Sequence, residues 1–354
     1  MRTAIFIAGV SVSMAACLAS APEAGSLAGA RTSDHFDGKR FFNREPEPRY
    51  SLEDRLRWLG STRAVEWPDW IDDPKFPPPP AQVGPCALRV TYINHATMLI
   101  QLDGVNILTD PVWSERASPL SWLGPKRVRA AGIALERLPR IDVVLVSHDH
   151  YDHLDLRTLQ QLAQRHRPAI LVGVGMGRLL AEHDIGSVTE MDWWQERDGL
   201  PNGLKVTFVP ARHGSGRGVF DRNTTLWGGF VVTASAGRVY FAGDTGYGES
   251  LEEISRRFAP FRLAILPVGH YEPRWMMQPV HLSPDDAVRV HRLMKANRSV
   301  GMHFGTFHGF GGHNNEEVDQ HEADLKVALE RHSVAASDFW LLGFGEGRDV
   351  PPLP

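Results

Sequence analysis

Three histidines and two aspartates fall within six consecutive positions that begin at His148, and this cluster constrains the chain more than any other feature. It follows directly on Ile141–Val146, an apolar and β-branched run that predicts a buried strand. His148 and His150 are two residues apart, so in extended backbone their side chains point the same way. Imidazole and carboxylate groups are ligands for cations such as zinc. The cluster therefore predicts a metal site, with one ion held by His148 and His150 and a second by Asp152 and His153.

The N-terminus has a pattern typical of exported proteins. Arg2 is followed by apolar or small residues through Ala16, which predicts a secretory signal peptide. This stretch is shorter than the run of about 20 apolar residues that a membrane span needs. Met14–Cys17 resembles a bacterial lipoprotein box, which predicts lipidation of Cys17 and attachment to a membrane surface. Ordinary cleavage after residues 19–21, or an uncleaved segment, are the alternatives. We expect a protein of the bacterial cell envelope, either periplasmic or anchored as a lipoprotein.

Composition divides the chain into four parts. The predicted signal peptide covers residues 1–17, and a flexible tether rich in Ala, Ser, Gly and Pro covers 18–34. A segment with alternating charges and tryptophans, 35–86, is expected to wrap over a core, and the main folded domain is predicted over 87–346. Cys86 is expected to be a single buried thiol. The net charge of −4 gives no overall cationic field, so we expect no nucleic-acid partner.

Short β-type runs recur through the main domain, with helical patterns between several of them. This alternation predicts two packed sheets covered on the outside by helices. Three further polar residues each follow an apolar run: His213, Asp244 and His303. Strands are rigid enough to hold ligands in the geometry that a metal requires. We predict that His213 completes the first site, that His303 completes the second, and that Asp244 bridges both with its two oxygens. Asp149 is expected either to orient a ligand histidine or to be solvated.

Other short motifs accompany the cluster: Phe36–Phe41, His95–Thr97, Leu108–Pro111, Gly124–Arg127, Asp192–Trp194, Phe241–Tyr247, Tyr271–Trp275 and His303–Phe307. With these motifs the chain resembles the metallo-β-lactamase superfamily. More closely, it resembles the N-acylphosphatidylethanolamine-hydrolysing phospholipase D group and its bacterial relatives. The resemblance covers most of residues 35–346. It implies an α/β (α+β) fold, the αββα sandwich in which two mixed β-sheets are flanked by helices.

The resemblance also implies a pair of zinc ions, with iron or manganese as alternatives. The implied ligands are His148, His150, His213 and Asp244 for one ion, and Asp152, His153, Asp244 and His303 for the other. Asp152 and Asp244 would thus take part in catalysis. His281 would face the substrate phosphate or the leaving group, whereas the sequence alone also allows a helix-cap histidine. The expected substrate contacts are His270, Tyr271, Arg274, Trp275 and Met276.

Details of the substrate region depart from the family pattern. His270 and Val280 replace the residues expected there, and the three residues 275–277 form an apolar stretch suited to acyl chains. Arg274 could pair with a phosphate or with Glu272. The resemblance implies a phospholipase D-type phosphodiesterase acting on N-acylphosphatidylethanolamine or a related phospholipid. The alternatives are a lactonase or other ester-type metallohydrolase, and a metal-binding envelope lipoprotein with a regulatory role. A homodimer is left open.

Overall fold

Two seven-stranded sheets and the helices outside them form the fold, which is seen in a computed structural model describing residues 33–46, 51–54, 57, 65–308 and 316–354. The predicted signal peptide and Cys17 therefore lie outside the described residues, as does almost all of the predicted tether. The strands are β1 Leu88–Asn94, β2 Thr97–Leu102, β3 Val105–Thr109, β4 Lys126–Arg127, β5 Val143–Val146, β6 Ala169–Gly173, β7 Val188–Met191, β8 Glu196–Arg197, β9 Lys205–Val209, β10 Gly229–Ala234, β11 Gly237–Phe241, β12 Leu263–Pro267, β13 Arg298–Met302, β14 Phe307–His308, β15 Phe339–Trp340 and β16 Gly347–Asp349. The helices are α1 Leu156–His166, α2 Gly177–Ala181, α3 Glu249–Phe258, α4 Arg274–Met277, α5 Pro284–Leu293 and α6 Gln320–His332.

Both large sheets are mixed. The first has the order β16-β1-β2-β3-β5-β6-β7, and the second has the order β15-β13-β12-β11-β10-β9-β8. In the first sheet β3, β5, β6 and β7 are parallel, and in the second β11, β12, β13 and β15 are parallel. The remaining pairs in each sheet are antiparallel. This is the predicted αββα sandwich.

Strand β5 shows why the cores lie where they do. Its side chains alternate between two clusters, with Val143 and Leu145 in the larger core and Val144 and Val146 in the core beneath α1. Successive strand residues point to opposite faces, so a strand covered on both faces must be apolar throughout. Burial of each such side chain stabilises the fold by about 1.5–3 kcal/mol.

Helix α5 begins where its sequence predicts. Ser283 caps it by accepting a hydrogen bond from the Asp286 amide, the Asp286 side chain accepts one in return, and Pro284 occupies the first turn. Helical patterns in the sequence cover residues 156–166, 250–258, 283–296 and 316–331, and helices α1, α3, α5 and α6 overlap them. The sequence did not predict β4, β7, β8, β14 and β16. Apart from β7, which has four residues, these strands are only two or three residues long and therefore carry little periodicity.

The folded body extends past residue 346, the predicted boundary, because β16 pairs with β1 through Arg89 and Asp349. At the other end the described part of the 35–86 segment packs on this body. Phe41 is buried, and the Ile71 amide donates to the Val128 carbonyl. Residues 34–354 group into one compact unit.

Cys86 is exposed, so the prediction of a buried thiol is wrong. It lies in the turn before β1 with a positive φ of 59°, where its backbone N–H donates to the Asp103 carboxylate. This turn faces solvent, which leaves no core for the side chain to enter.

Within the described residues, no helix combines the length and apolar composition that a transmembrane span requires.

Candidate metal centre

The predicted ligands converge at the edge where parallel strands of both sheets end. The loop from Ser147 to His153 follows β5, Asp244 follows β11, and His303 follows β13. His213 comes from the loop after β9. Carboxyl ends of parallel strands meet at one edge, so residues far apart in the sequence are brought within contact distance here.

Three histidines form the first half of the cluster. His148 Nε2 lies 2.8 Å from His150 Nδ1, and His213 Nε2 lies 3.3 Å from the same atom. The ligand atoms of all three are within 4.8 Å of one another. The structure thus brings together the three histidines predicted for the first metal.

The second half of the cluster centres on Asp152. Its Oδ2 lies 3.3 Å from His153 Nε2 and 3.4 Å from His303 Nε2. His95 joins them, with its Nε2 2.8 Å from the same oxygen. The structure thus brings together the three residues predicted for the second metal alone and adds a histidine.

Asp244 lies between the two halves. Its Oδ2 is 3.1 Å from His303 Nε2, 3.3 Å from His153 Nε2 and 3.7 Å from His213 Nε2. Such a carboxylate can contact cations on either side, which is the position predicted for a bridging ligand.

The donor atoms are arranged for a cation. Within the described part of the chain, His153 Nε2, His303 Nε2 and Asp244 Oδ1 are buried and make no hydrogen bond. Buried polar atoms are nearly always satisfied, so an unsatisfied group of nitrogens and carboxylate oxygens facing one another indicates a ligand that neutralises them. Nitrogen and carboxylate donors fit zinc, iron or manganese. The residues therefore fit the metal pair that the sequence predicts.

Electrostatics favour the metal-binding forms of several ligands. Burial lowers the pKa of His213 to about 3 and holds the pKa of His148 well below its usual value, so both imidazoles are neutral. Burial opposes ionisation of Asp244, but the positive charges of His303 and His153 prevail and hold its pKa well below the usual range. Burial would likewise lower the pKa of His303, yet Asp244 raises it to about 9. The carboxylates thus attract positive charge, and a metal competes with protons for His303.

Asp110, at the end of β3, orients two of the ligands. One of its oxygens accepts the Ser147 amide at 2.7 Å, and the other accepts Ser147 Oγ at 2.6 Å and His153 Nδ1 at 2.7 Å. Ser147 Oγ in turn accepts a hydrogen bond from His148 Nδ1 at 2.9 Å. With both Nδ1 atoms protonated, His153 and His148 present their Nε2 lone pairs to the site.

We expect Asp110→Ala to weaken metal binding by about 10- to 100-fold, since it releases His153 from its tautomer. Three buried hydrogen bonds are lost as well, so the free energy of unfolding should fall by about 2–3 kcal/mol. Chelator competition and urea unfolding measure the two effects. Asp142→Ala is the matched control, because Asp142 lies at the opposite end of β5 and binds the Asn106 amide. Unchanged metal affinity in Asp110→Ala would remove Asp110 from the site.

His95 belongs to the motif His95–Thr97, but the sequence does not predict it as a site residue. It directly follows β1, as other site residues follow their strands, with φ at 45° and its amide donating to Thr306 Oγ1. The signal was therefore present, but His95 stands in the tight turn of a β-hairpin, where a polar residue is ordinary.

Asn43 is a second residue at the site that the sequence does not predict. Its Nδ2 donates to the His213 carbonyl at 2.7 Å and its Oδ1 accepts the His213 amide at 3.3 Å. His213 is fixed from the other side as well, since its Nδ1 donates to the Val280 carbonyl at 3.0 Å. Both partners hold the Nε2 of His213 toward the cluster. Contacts made by backbone groups and by a segment 170 residues away leave no pattern in the sequence.

His281 lies at the cluster but outside the predicted ligand sets. Its Nδ1 is 3.8 Å from Asp244 Oδ2, and burial holds its pKa well below the usual value. Arg274 positions it by donating to the His281 carbonyl at 3.0 Å and pairing with Asp286 at 2.7 Å. The guanidinium therefore pairs with Asp286 and not with Glu272, whose carboxylate accepts the Arg274 backbone amide. Contact of Arg274 with a substrate phosphate stays a prediction.

The expected substrate contacts separate into two groups. Met276 lines a cavity of about 470 Å³ that opens on His150 and His213, together with Met277, Pro279, Val280 and Val219. These five apolar side chains form one part of its wall, and Asn43, Arg212, Arg222 and Asn223 contribute polar groups to the rest. Trp275 is half-buried, with the Arg57 guanidinium 5.2 Å from its ring centroid.

The other two contacts lie away from that cavity. His270 packs with its ring 5.0 Å from that of His281, and burial lowers its pKa to about 4. Tyr271 is buried, and its hydroxyl donates to Asp324 on α6, so the structure places this side chain in the packing between elements.

Asp149 fulfils neither expectation. It is buried and accepts hydrogen bonds from the Gly216 amide at 2.6 Å and from Thr225 Oγ1 at 2.8 Å. Strand-like alternation turns its side chain away from the neighbouring ligands, and a second loop supplies its donors. Asp149 therefore anchors the 216–225 loop and does not orient a ligand histidine.

Two mixed sheets with a histidine–aspartate cluster at their carboxyl edges define the class: the metal-dependent hydrolases of the metallo-β-lactamase fold. A family model described as the Beta-lactamase superfamily domain matches residues 105–304, and the chain belongs to this family. A possible metal-dependent hydrolase from Veillonella parvula has the same fold, with a TM-score of 0.58 at 17% identity over 74% of this chain and 99% of the other.

Curated relatives are similar in sequence. The N-acyl-phosphatidylethanolamine-hydrolyzing phospholipase D 1 of Caenorhabditis elegans is 42% identical over 230 residues, which cover 62% of this chain and 64% of the worm protein. A metal-dependent hydrolase of Methanopyrus kandleri is 32% identical over 232 residues, covering 62% of this chain and 85% of that protein. The chain thus spans less than two thirds of the worm relative.

Proposed function

We propose that the chain is a dinuclear zinc hydrolase that cleaves a phosphodiester in N-acylphosphatidylethanolamine or a related phospholipid. Cleavage would release the N-acylated head-group alcohol and leave the phosphate on the lipid, as in a phospholipase D. The observation that carries the proposal is the cavity beside the cluster. It is lined by His150 and His213, by the apolar Met276, Met277 and Val280, and by Arg212 and Arg222. The similarity to the phospholipase D of the worm agrees with it.

The chain's own residues divide the work. Bound in the cluster, two divalent ions would supply Lewis acidity and lower the pKa of a water molecule. Asp110, Ser147 and Val280 hold the histidines so that their free nitrogens face inward. Asp244 places negative charge between the two halves of the cluster. The neutral imidazole of His281 can donate its N–H to an oxygen of the substrate next to Asp244.

Apolar walls favour acyl chains over short polar substrates. Each methylene removed from water contributes about 0.8 kcal/mol, close to a fourfold gain in binding. A soluble lactone or short ester would gain little from Met276, Met277 or Val280. Chain-length dependence therefore separates the phospholipase from the lactonase or esterase alternative.

We expect kcat/KM to rise about two- to fourfold per added methylene for monomeric phosphodiester lipids with acyl chains of about four to eight carbons. Mass spectrometry should show that the lipid product retains the phosphate. Met276→Ser should flatten the chain-length dependence, whereas Gln278→Ser, an exposed neighbour on the same stretch, should preserve it. A flat dependence in the wild type, with faster opening of a lactone than cleavage of the phosphodiester, would favour the lactonase.

A further inference from the structure

Two loops expose large apolar side chains to solvent. The first, residues 118–124 and here called the tryptophan loop, carries Leu120, Trp122 and Leu123, with Trp122 70% exposed. The second, residues 216–222 and here called the phenylalanine loop, carries Val219 and Phe220, with Phe220 88% exposed. These five are half of the ten exposed large hydrophobic residues in the described chain. Clustered exposure of this kind indicates a contact surface.

The base of each loop contacts a segment that also carries predicted metal ligands. At the base of the tryptophan loop, Ala117 packs with Phe307 and Tyr151. Phe307 lies in β14, shortly after His303, and Tyr151 lies between His150 and Asp152. The phenylalanine loop is held by Asp149, which accepts the Gly216 amide. The bases of both loops are therefore held against the segments that carry His150, Asp152 and His303.

A cationic cavity lies between the bases of these loops. It has a volume of about 290 Å³ and is lined by Arg116 at the tryptophan loop, Arg217 of the phenylalanine loop and Arg157 of α1. Asp155 is the one acidic residue among the described residues lining it. That carboxylate is already occupied, since it accepts the Trp113 and Ser114 amides and two hydroxyls.

Arg217 and Arg157 differ in how firmly they are held. Arg217 donates to the Asp149 and Leu154 carbonyls and lies 3.8 Å from the centroid of the Tyr151 ring. Arg157 is exposed and forms no ion pair with any residue that the structure describes. Guanidinium groups bind phosphate oxygens in planar, bidentate geometry. The cavity therefore suits a phosphate group.

The phenylalanine loop also connects this surface with the substrate cavity. Val219 lines the cavity that opens on His150 and His213, and Arg217, two residues earlier, lines the cationic one. A molecule that contacts the tip of the phenylalanine loop is therefore next to the cavity that opens on His150 and His213.

We propose that these two loops and the arginine cavity between them dock the protein on an anionic phospholipid bilayer. The apolar tips would enter the lipid interface while Arg116, Arg157 and Arg217 receive the phosphate of a neighbouring anionic lipid. This proposal rests on the proposed function, because it gives the lipid hydrolase direct access to substrate in a membrane. Apolar tips flanking a cationic cavity match a bilayer with anionic head groups, where basic residues are attracted to the surface and aromatic residues prefer the interface.

Vesicle sedimentation of the metal-loaded chain tests the proposal. Wild type should bind vesicles of phosphatidylcholine with phosphatidylglycerol more tightly than vesicles of phosphatidylcholine alone. Trp122→Ala with Phe220→Ala should reduce binding to both by about tenfold or more. Arg157→Glu should reduce binding to the anionic vesicles by about fivefold or more. The matched controls are Val327→Ala and Lys326→Glu, an exposed apolar and an exposed basic residue on α6, and both should bind as wild type does.

Separate readouts distinguish docking from catalysis. Hydrolysis of a soluble chromogenic phosphodiester should be unchanged in the Trp122, Phe220 and Arg157 variants, which shows that they fold. Asp244→Asn should still bind vesicles, so a failure of the proposed chemistry would leave docking measurable. Equal sedimentation of the loop variants and wild type would overturn the proposal. So would light scattering that shows a wild-type dimer broken by Trp122→Ala with Phe220→Ala, since a second copy would then occupy the loops.

Discussion

Asp244→Asn should lower kcat/KM for a phosphodiester by about 1,000-fold or more, the largest effect expected from any single substitution here. The amide removes the negative charge between the two halves of the cluster, where Asp244 Oδ2 lies within 3.7 Å of His153, His213 and His303. Size and shape change little, so the fold should persist. Steady-state kinetics with a soluble phosphodiester measure the activity. Elemental analysis measures the metal content, which we expect to be about two ions per wild-type chain.

Asp142→Asn is the control for Asp244→Asn. Asp142 precedes β5, at the end of the strand opposite the cluster, and accepts the Asn106 amide. The same charge is removed there without touching the site, so activity and metal content should match those of the wild type. Near-normal turnover in Asp244→Asn, or a wild type that binds less than about one metal, would contradict a dinuclear centre.

His281→Ala should lower kcat by about 100-fold while both metals remain bound, since the contribution of a positioned acid–base or hydrogen-bonding group is of that order. The imidazole is buried beside Asp244 but lies 3.8 Å from its nearest oxygen, farther than His303 or His153. Stopped-time assays with metal analysis on the same sample measure both quantities. His281→Gln, which keeps a side-chain N–H, should recover part of the lost rate.

A different result would reassign His281. The ligand atoms of His213, Asp244 and His281 lie within 4.8 Å of one another and form a group that could itself hold a metal. If His281→Ala loses one metal per chain, His281 is a ligand and the assignment based on the family resemblance is wrong at that position.

The parts of the site that sequence predicts are those fixed by strand ends. The apolar run before Ser147 and the runs before Asp244 and His303 mark buried strands, and the topology then brings their ends together. The seven predicted ligands accordingly lie in one cluster, and the family match agrees with the predicted fold.

What the sequence could not predict depends on packing between distant segments. Asn43 contacts backbone atoms of His213, so the identity of His213 carries no information about its partner. Tyr271 lies in a motif beside the predicted site, yet its hydroxyl turns to Asp324 because α6 packs there. The side chain of Asp149 points away from the ligands, as strand-like alternation predicts, but its hydrogen-bond donors come from a loop that has no periodic pattern in the sequence.

Because β1 pairs with β16, the folded domain includes strands from both ends of the described chain. The family match begins at residue 105 and ends at 304, so its limits fall inside both large sheets. A cut at those limits would strip β1, β2 and β16 from one sheet and β15 from the other, and would remove Asn43 from His213. The region recognised by similarity is therefore smaller than the region that folds. A chimera that includes this domain would therefore need the strands on both sides of residues 105–304 as well.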